Sequence, residues 1–350
     1  MRGGGVSDGS RTGAGAAIGG RIPRRDALRI LAVAGAGGAA WGLGAFRRSG
    51  PVERSRILMG TGVHLTVLGP DRDAAAAAAD ASLAHMAGLE GLLSRYRTDS
   101  EVGRLNASGR LAEASPALLD VLALADRIHR MGDGAFDVSI QPLLDLYRDR
   151  LGLGAGPPGP AALEAVLERV DQRALRVRGR SIESRRPDLS ITLDGIAKGY
   201  VVDRGVAVLT GRGFANVFVE AGGDLMAAGD KGPGHPWRIG IRSPRPGISI
   251  QARFDARNRA VATSGDYMQP FTADYAQHHI LDPRTGTSAP ELASATVVAP
   301  DAATADGLAT LVMVLGPRRG RELLEDLSGC EGYLVGKDLE VVRTSGFAVV

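Results

Sequence analysis

Leu193-Asp194-Gly195-Ile196-Ala197-Lys198-Gly199-Tyr200 reads as the end of a strand that turns through a glycine into the first turn of a helix. The apolar residues of 189–193 extend it backward as a strand. The apolar spacing of 196–209, closed by Gly211, extends it forward as a helix. A further strand, 215–220, ends in Gly222-Gly223-Asp224. Downstream, 237–242, 250–254 and 259–262 alternate as antiparallel strands do; a helix over 304–315 and two strands close the chain. Upstream, 57–68 reads as one strand broken by Gly60-Thr61-Gly62, and 71–96 as an Ala-rich helix. Ser115-Pro116 caps a helix running to Gly132. A Gly/Pro loop (152–160), a short helix (160–170) and a hairpin turning at Gly179-Arg180 (174–184) follow. Strands and helices do not alternate regularly. The expected fold is therefore mixed α+β, with largely antiparallel sheets and packed helices, rather than a doubly wound parallel sheet.

The 350 residues are 44% hydrophobic and 23% charged, a globular composition with enough chain to bury a large core. The net charge of +3 is unevenly placed: residues 1–50 hold eight Arg against Asp8 and Asp26, a surplus of +6, so residues 51–350 carry −3. The body has no electrostatic case for nucleic acid. Cys330 is the one cysteine, which excludes a disulfide framework or a cysteine zinc site and reads as a small buried hydrophobe.

No G-x-x-x-x-G-K-[ST], H-E-x-x-H, G-x-S-x-G or strand-to-helix G-x-G-x-x-G occurs, which disfavours P-loop hydrolysis, zincin proteolysis and Rossmann hydride transfer. Four polar clusters remain at the ends of elements. The Lys198 octapeptide offers backbone N–H groups and an ammonium at a helix start, suited to a pyrophosphate; equally, Asp194 could be a plain cap and Lys198 a solvated side chain. Asp306 and Thr310, four apart, share a helix face, so both oxygens can reach one point and serve Mg²⁺, or act as a cap and a back-bonded Thr. The 277–286 segment reads as a strand end and turn holding His278 and His279, which on a strand would face opposite ways, so at most one meets a site. Thr263-Ser264-Gly265 could let a ligand approach the backbone or be an ordinary turn.

Taken in order, these clusters resemble the ApbE-type FAD:protein FMN transferases. The match begins at Met59-Gly60-Thr61 and runs through Ser94-Arg95-Tyr96, Ser100-Glu101, Arg104-Leu105-Asn106, Gly134-Ala135-Phe136-Asp137 and Gln141-Pro142-Leu143. It continues with the Lys198 segment, Gly222-Gly223-Asp224, Thr263-Ser264-Gly265, 279–286 and Ala305-Asp306. The resemblance implies an ApbE-like fold and a Mg²⁺-dependent enzyme that takes FAD as substrate, moves its FMN half to a Thr or Ser hydroxyl of an acceptor protein and releases AMP. It places FAD contacts at Met59, Tyr96, Ala135, Phe136, Asp137, Lys198 and Leu281, and the metal at Asp306, Thr310 and the backbone oxygen of Gly195. His279 is the residue expected to take the hydroxyl proton. Where many members have an Asp six residues before the Lys, Thr192 stands here; it can make one hydrogen bond to FAD but brings no charge. The 192–203 string looks closer to the subgroup associated with nitrous-oxide reductase maturation. Two other readings use the same site: an exported protein that holds or delivers FAD without transfer, and an FAD pyrophosphatase giving FMN and AMP.

Residues 1–50 are set apart as a leader, with 51–350 as the transferase domain. Fourteen of the 49 glycines fall in the leader, and Arg24-Arg25, Leu28 and Arg29 precede an uncharged apolar run, 30–46. This resembles a twin-arginine export signal with cleavage near Ala45, although Ala27 stands where an aromatic is usual. At about 17 residues the run also sits at the short limit for an uncleaved membrane anchor. The expected location is the periplasm or cell envelope, and the expected acceptor belongs to an exported or membrane electron-transfer system.

Overall fold

The computed structural model describes residues 50–247 and 250–350; the export signal and anchor readings, including Arg24 and Arg25, lie outside the described residues. Thirteen strands and seven α-helices are present among them: β1 (Val52–Leu58), β2 (Thr61–Leu68), α1 (Arg72–Leu93), α2 (Glu101–Ser108), β3 (Arg110–Leu111), α3 (Pro116–Met131), α4 (Gln141–Gly152), α5 (Pro160–Leu167), β4 (Leu175–Arg178), β5 (Ser181–Ser184), α6 (Ala197–Gly211), β6 (Asn216–Ala221), β7 (Asp224–Ala228), β8 (Trp237–Arg242), β9 (Ile250–Ala256), β10 (Arg259–Gly265), β11 (Leu292–Ala299), α7 (Ala302–Asp326), β12 (Glu331–Gly336) and β13 (Val341–Arg343). Eight strands form one sheet, β1-β2-β6-β7-β10-β11-β12-β13, in which every pairing is antiparallel. α1, α6 and α7 cover one face. The β8–β9 hairpin covers part of the other: Trp237, Ile239 and Phe254 pack with Leu225, Val261, Val298 and Tyr333. β11 lies between the two layers, and all eight of its residues are buried. The mixed α+β expectation holds.

Three local expectations are corrected. First, 57–68 is two strands, not one: Met59 (φ 51°) and Gly60 (φ 72°) form a two-residue hairpin turn, with Leu58 paired to Thr61. Methionine is costly at positive φ, and its N–H is held by Glu90 Oε1 at 2.8 Å. Second, 189–193 is irregular chain rather than a strand, although Leu189, Ile191 and Leu193 are buried. Its backbone is paired by a side chain: the Asn106 carboxamide accepts from Ile191 N (2.8 Å) and donates to Ile191 O (2.9 Å), replacing a neighbouring strand. Third, 277–286 forms only isolated bridges, Pro270 with His278 and Leu281 with Ser288, so strand alternation does not govern the two histidines.

α2 and α4, which periodicity did not reveal, start on local signals: the Ser100 side chain caps α2 by accepting from Gly103 N, and α4, which has no side-chain cap, carries Pro142 in its first turn. The helix read over 304–315 is the first part of α7, which breaks at Gly316 (φ 79°) before Pro317 and resumes. Cys330 is buried, as its sequence context suggested.

Candidate functional site

The starts of α6 and α7 cross at Gly199. A Cβ there would overlap the Ala302 carbonyl and lie 2.8 Å from Ala303 N, so glycine is what lets the two helices touch. Closeness brings the Gly199 N–H to Asp306 Oδ2 at 3.0 Å. One turn further along α6, the Asp203 carboxylate accepts from Ala302 N and Ala303 N, and Asp301 Oδ1 accepts from Thr304 N, so the first turn of α7 is fixed from both sides. Burial pushes the Asp203 carboxyl up to about 6, against the two amides that stabilise its charge.

The Lys198 ammonium enters the same junction, 2.5 Å from Asp224 Oδ2 and 3.5 Å from Asp306 Oδ1. Both carboxylate side chains are almost completely buried, at 2% and 3% exposure. Burial and the neighbouring Asp306 charge push the Asp224 carboxyl up to about 7, opposed by Lys198. Burial alone would lower the Lys198 value, but the two carboxylates outweigh it and hold the ammonium charged. Two acids and one ammonium leave this junction one negative charge in excess when all are ionised. Lys198 is therefore a partly buried, ion-paired side chain, 31% exposed, rather than a free surface lysine.

Thr310 Oγ1, one turn beyond Asp306, lies 3.4 Å from the Gly195 carbonyl oxygen and 3.2 Å from Ser264 Oγ on β10. A Cβ on Gly195 would stand 3.0 Å from Thr310 Oγ1 and 3.6 Å from the Phe136 ring, a cradle that a side chain would fill. Phe136 is set by its neighbours: Asp137 accepts from Ser139 N, Ser139 Oγ and Gln172 N, and the Phe136 carbonyl lies 2.8 Å from His129 Nδ1. Burial raises the Asp137 carboxyl, with those hydrogen bonds opposing. Val138 O accepts from Thr192 N, which ties this loop to the octapeptide. The Thr192 hydroxyl turns back to its own chain and accepts from Asp194 N at 3.2 Å.

Tyr96 reaches the same segment from the end of α1. Its hydroxyl donates to Asp194 Oδ2 (3.2 Å), Arg95 Nε donates to the same oxygen (2.8 Å), and the Arg95 guanidinium lies 4.0 Å over the Tyr96 ring. Tyr96 as a residue is 67% exposed, so an aromatic surface stands beside the helix start. His278 is a structural residue, its ring held by the Ala289 carbonyl and the Ile280 N–H. His279 differs: its Nδ1 is buried without a hydrogen-bond partner. Burial foremost, then His278 and Lys198, push its pKa down to about 4, against a hydrogen bond with the Gln269 backbone and the Asp194 charge, so the ring is neutral.

The structure therefore brings Tyr96, Phe136, Thr192, Gly195, Lys198, Asp306 and Thr310 around residues 192–199, with His279 within the field of Lys198 and Asp194. Ala135 is buried in the main core behind Phe136. Met59 packs partly buried against that core, and Leu281 is buried in a separate cluster with Leu143, Leu144, Tyr147 and Val166.

Residues 59–334 match the model of the ApbE family. The chain belongs to the ApbE family. A FAD:protein FMN transferase of Salmonella typhimurium is 32% identical over 302 residues, 82% of this chain and 84% of that protein. One from Vibrio cholerae is 35% identical over 245 residues, 67% and 72%. Among solved structures, the flavin transferase ApbE from Vibrio cholerae has a TM-score of 0.73 at 31% identity, covering 85% of this chain and 98% of that one. The ApbE protein of Thermotoga maritima has 0.75 at 29%, covering 85% and 97%.

Within this ApbE chain, sequence reasoning quoted Asp224 and Ser264 in motifs but gave them no role. The signal for Asp224 was the turn before it, where Gly222 (φ 63°) and Gly223 (φ 104°) form a corner that aims an acid inward. Neither the cavity of about 660 Å³ by Arg169, Arg173 and Arg186 nor that of about 320 Å³ by Asp120, Tyr200, Asp203 and Ala303 is lined by Gly195, Lys198, Asp306 or Thr310. Among the described residues no three His, Cys, Asp or Glu converge as a metal cluster, and no helix is long and apolar enough to cross a membrane.

Proposed function

We propose that this ApbE enzyme is a FAD:protein FMN transferase that moves the FMN half of FAD to a Thr or Ser hydroxyl of an acceptor protein, with Mg²⁺ at the pyrophosphate and AMP as the leaving product. The observation that carries the reading is the α6–α7 junction. There a helix start, an ammonium, two buried acids and the oxygens of Thr310 and Gly195 lie beside a neutral histidine with a free ring nitrogen.

The donor set fits the ion. Asp306, Thr310 and the Gly195 carbonyl offer hard oxygens of three kinds, the bare Gly195 leaves the cradle open, and the excess negative charge favours a cation. Bound there, Mg²⁺ supplies Lewis-acid neutralisation of the pyrophosphate. The chain's own residues do the rest. The Lys198 ammonium and the positive end of the α6 dipole favour the anionic diphosphate, and the exposed Tyr96 offers a flat surface to a ring of FAD, with Phe136 buried behind the site. Neutral His279 takes the proton of the acceptor hydroxyl. The hydroxyl oxygen bonds to the FMN phosphorus, the bridging P–O bond breaks, and its electron pair leaves with AMP.

The deciding experiment incubates the enzyme with FAD, Mg²⁺ and a protein bearing a Ser/Thr-Gly-Ala-Thr-like acceptor segment, followed by in-gel flavin fluorescence. A fluorescent acceptor band and released AMP are expected. Free FMN without a band would mean hydrolysis, and intact bound FAD would mean carriage only.

The leader supports export by the twin-arginine route to the periplasm or cell envelope, where an acceptor in an exported or membrane electron-transfer system would meet the enzyme; an uncleaved leader would tether it to the inner membrane. Changing both Arg24 and Arg25 to Lys is expected to retain the protein in the cytoplasm, and unchanged export in cell fractionation would remove this reading.

A further inference from the structure

Lys198 lies between Asp224 and Asp306 but not midway. Its nitrogen is 2.5 Å from Asp224 and 3.5 Å from Asp306. The two acids are mounted differently. Asp224 opens β7 immediately after the Gly222-Gly223 corner, whereas Asp306 lies on α7 and already receives the Gly199 N–H. An ammonium is a compact charge on a flexible stem and can close on either acid. Pairing a single, partly exposed lysine needs one carboxylate; a second buried acid is costly unless another cation shares it. Asp306 is the acid that also shares its helix face with Thr310, across from the Gly195 carbonyl.

We propose that Asp224 is a positioning residue that draws Lys198 back from Asp306 and so keeps the Asp306 carboxylate available to a divalent cation. This rests on the Mg²⁺ site proposed above. Without Asp224, Lys198 closes on Asp306 as its one remaining anionic partner and competes with the metal for the same oxygen. Asp224 acts through Lys198 and does not itself touch the ion.

Calorimetric titration of Mg²⁺ alone into the purified enzyme tests this. Asp224→Asn keeps the side-chain size and is expected to weaken Mg²⁺ binding by about 10- to 100-fold, the usual range for residues that orient a ligand. Adding Lys198→Met to Asp224→Asn removes the competitor and is expected to recover most of that loss. Lys198→Met alone should bind at least as tightly as the wild type. That comparison also serves if Asp224→Asn folds poorly, because on the Lys198→Met background the Asp224 substitution should then be nearly neutral. Wild-type affinity in Asp224→Asn, a loss that Lys198→Met does not relieve, or weakened binding in Lys198→Met alone would each overturn the assignment. Absence of Mg²⁺ binding by the wild type would instead remove the metal site on which it rests.

Discussion

Asp306→Asn is expected to lower Mg²⁺-supported transfer by about 10³-fold, corresponding to roughly 4 kcal/mol of lost transition-state stabilisation. The substitution isolates charge. An asparagine oxygen can still accept the Gly199 N–H that holds α6 against α7, and its volume is that of the aspartate, so the helix crossing should survive. What disappears is the excess negative charge: Lys198 and Asp224 then form a neutral pair, and the oxygens of Thr310 and Gly195 have no anionic partner beside them. Thermal unfolding should stay close to the wild type while the initial rate of acceptor flavinylation falls at every Mg²⁺ concentration. A variant that transfers FMN at the wild-type rate would remove Asp306 from the metal site.

The fold class was legible because it depends on the order of elements, which local periodicity reports. The errors arose where a backbone was satisfied by something distant in sequence. Residues 189–193 have the apolar alternation of a strand, yet their partner is the carboxamide of Asn106, and no local pattern announces a side chain in the place of a strand. The β1–β2 turn was obscured because Met59 does not advertise positive φ; Glu90, thirty-one residues away, holds it there. At the site, Lys198, Asp306 and Thr310 could be found because each lies on a helix whose start is written in the sequence. Asp224 and Ser264 could be quoted but not understood, since their meaning is a distance to residues on other elements. The two histidines show the same limit. They are adjacent in the chain, and the difference between the anchored His278 ring and the unpaired Nδ1 of His279 lies wholly in their three-dimensional surroundings.

His279→Ala should reduce transfer by about 10²- to 10³-fold, the lower part of the range for loss of a positioned general base, while FAD binding persists. The pH dependence gives a sharper test than the loss itself. Burial, His278 and Lys198 hold the imidazole well below its ordinary value of 6.5, at about 4. A base must be unprotonated, so the His279-dependent rate should be maintained as pH falls through 6.5 and decline only as it approaches about 4. An acid limb centred near 6.5 that vanished in the variant would show a solvent-exposed base and contradict this geometry. Stability should carry the matching signature. Between about pH 4 and 6.5 the unfolded chain protonates this histidine and the folded chain does not, so the unfolded state binds more protons and folding stability rises with pH across that window. His279→Ala removes this contribution, and its unfolding free energy should vary less with pH there than that of the wild type. A base with so low a pKa is a weak proton acceptor, which places the burden of catalysis on neutralising the diphosphate and aligning the hydroxyl. For that reason the loss on removing Asp306 should equal or exceed the loss on removing His279.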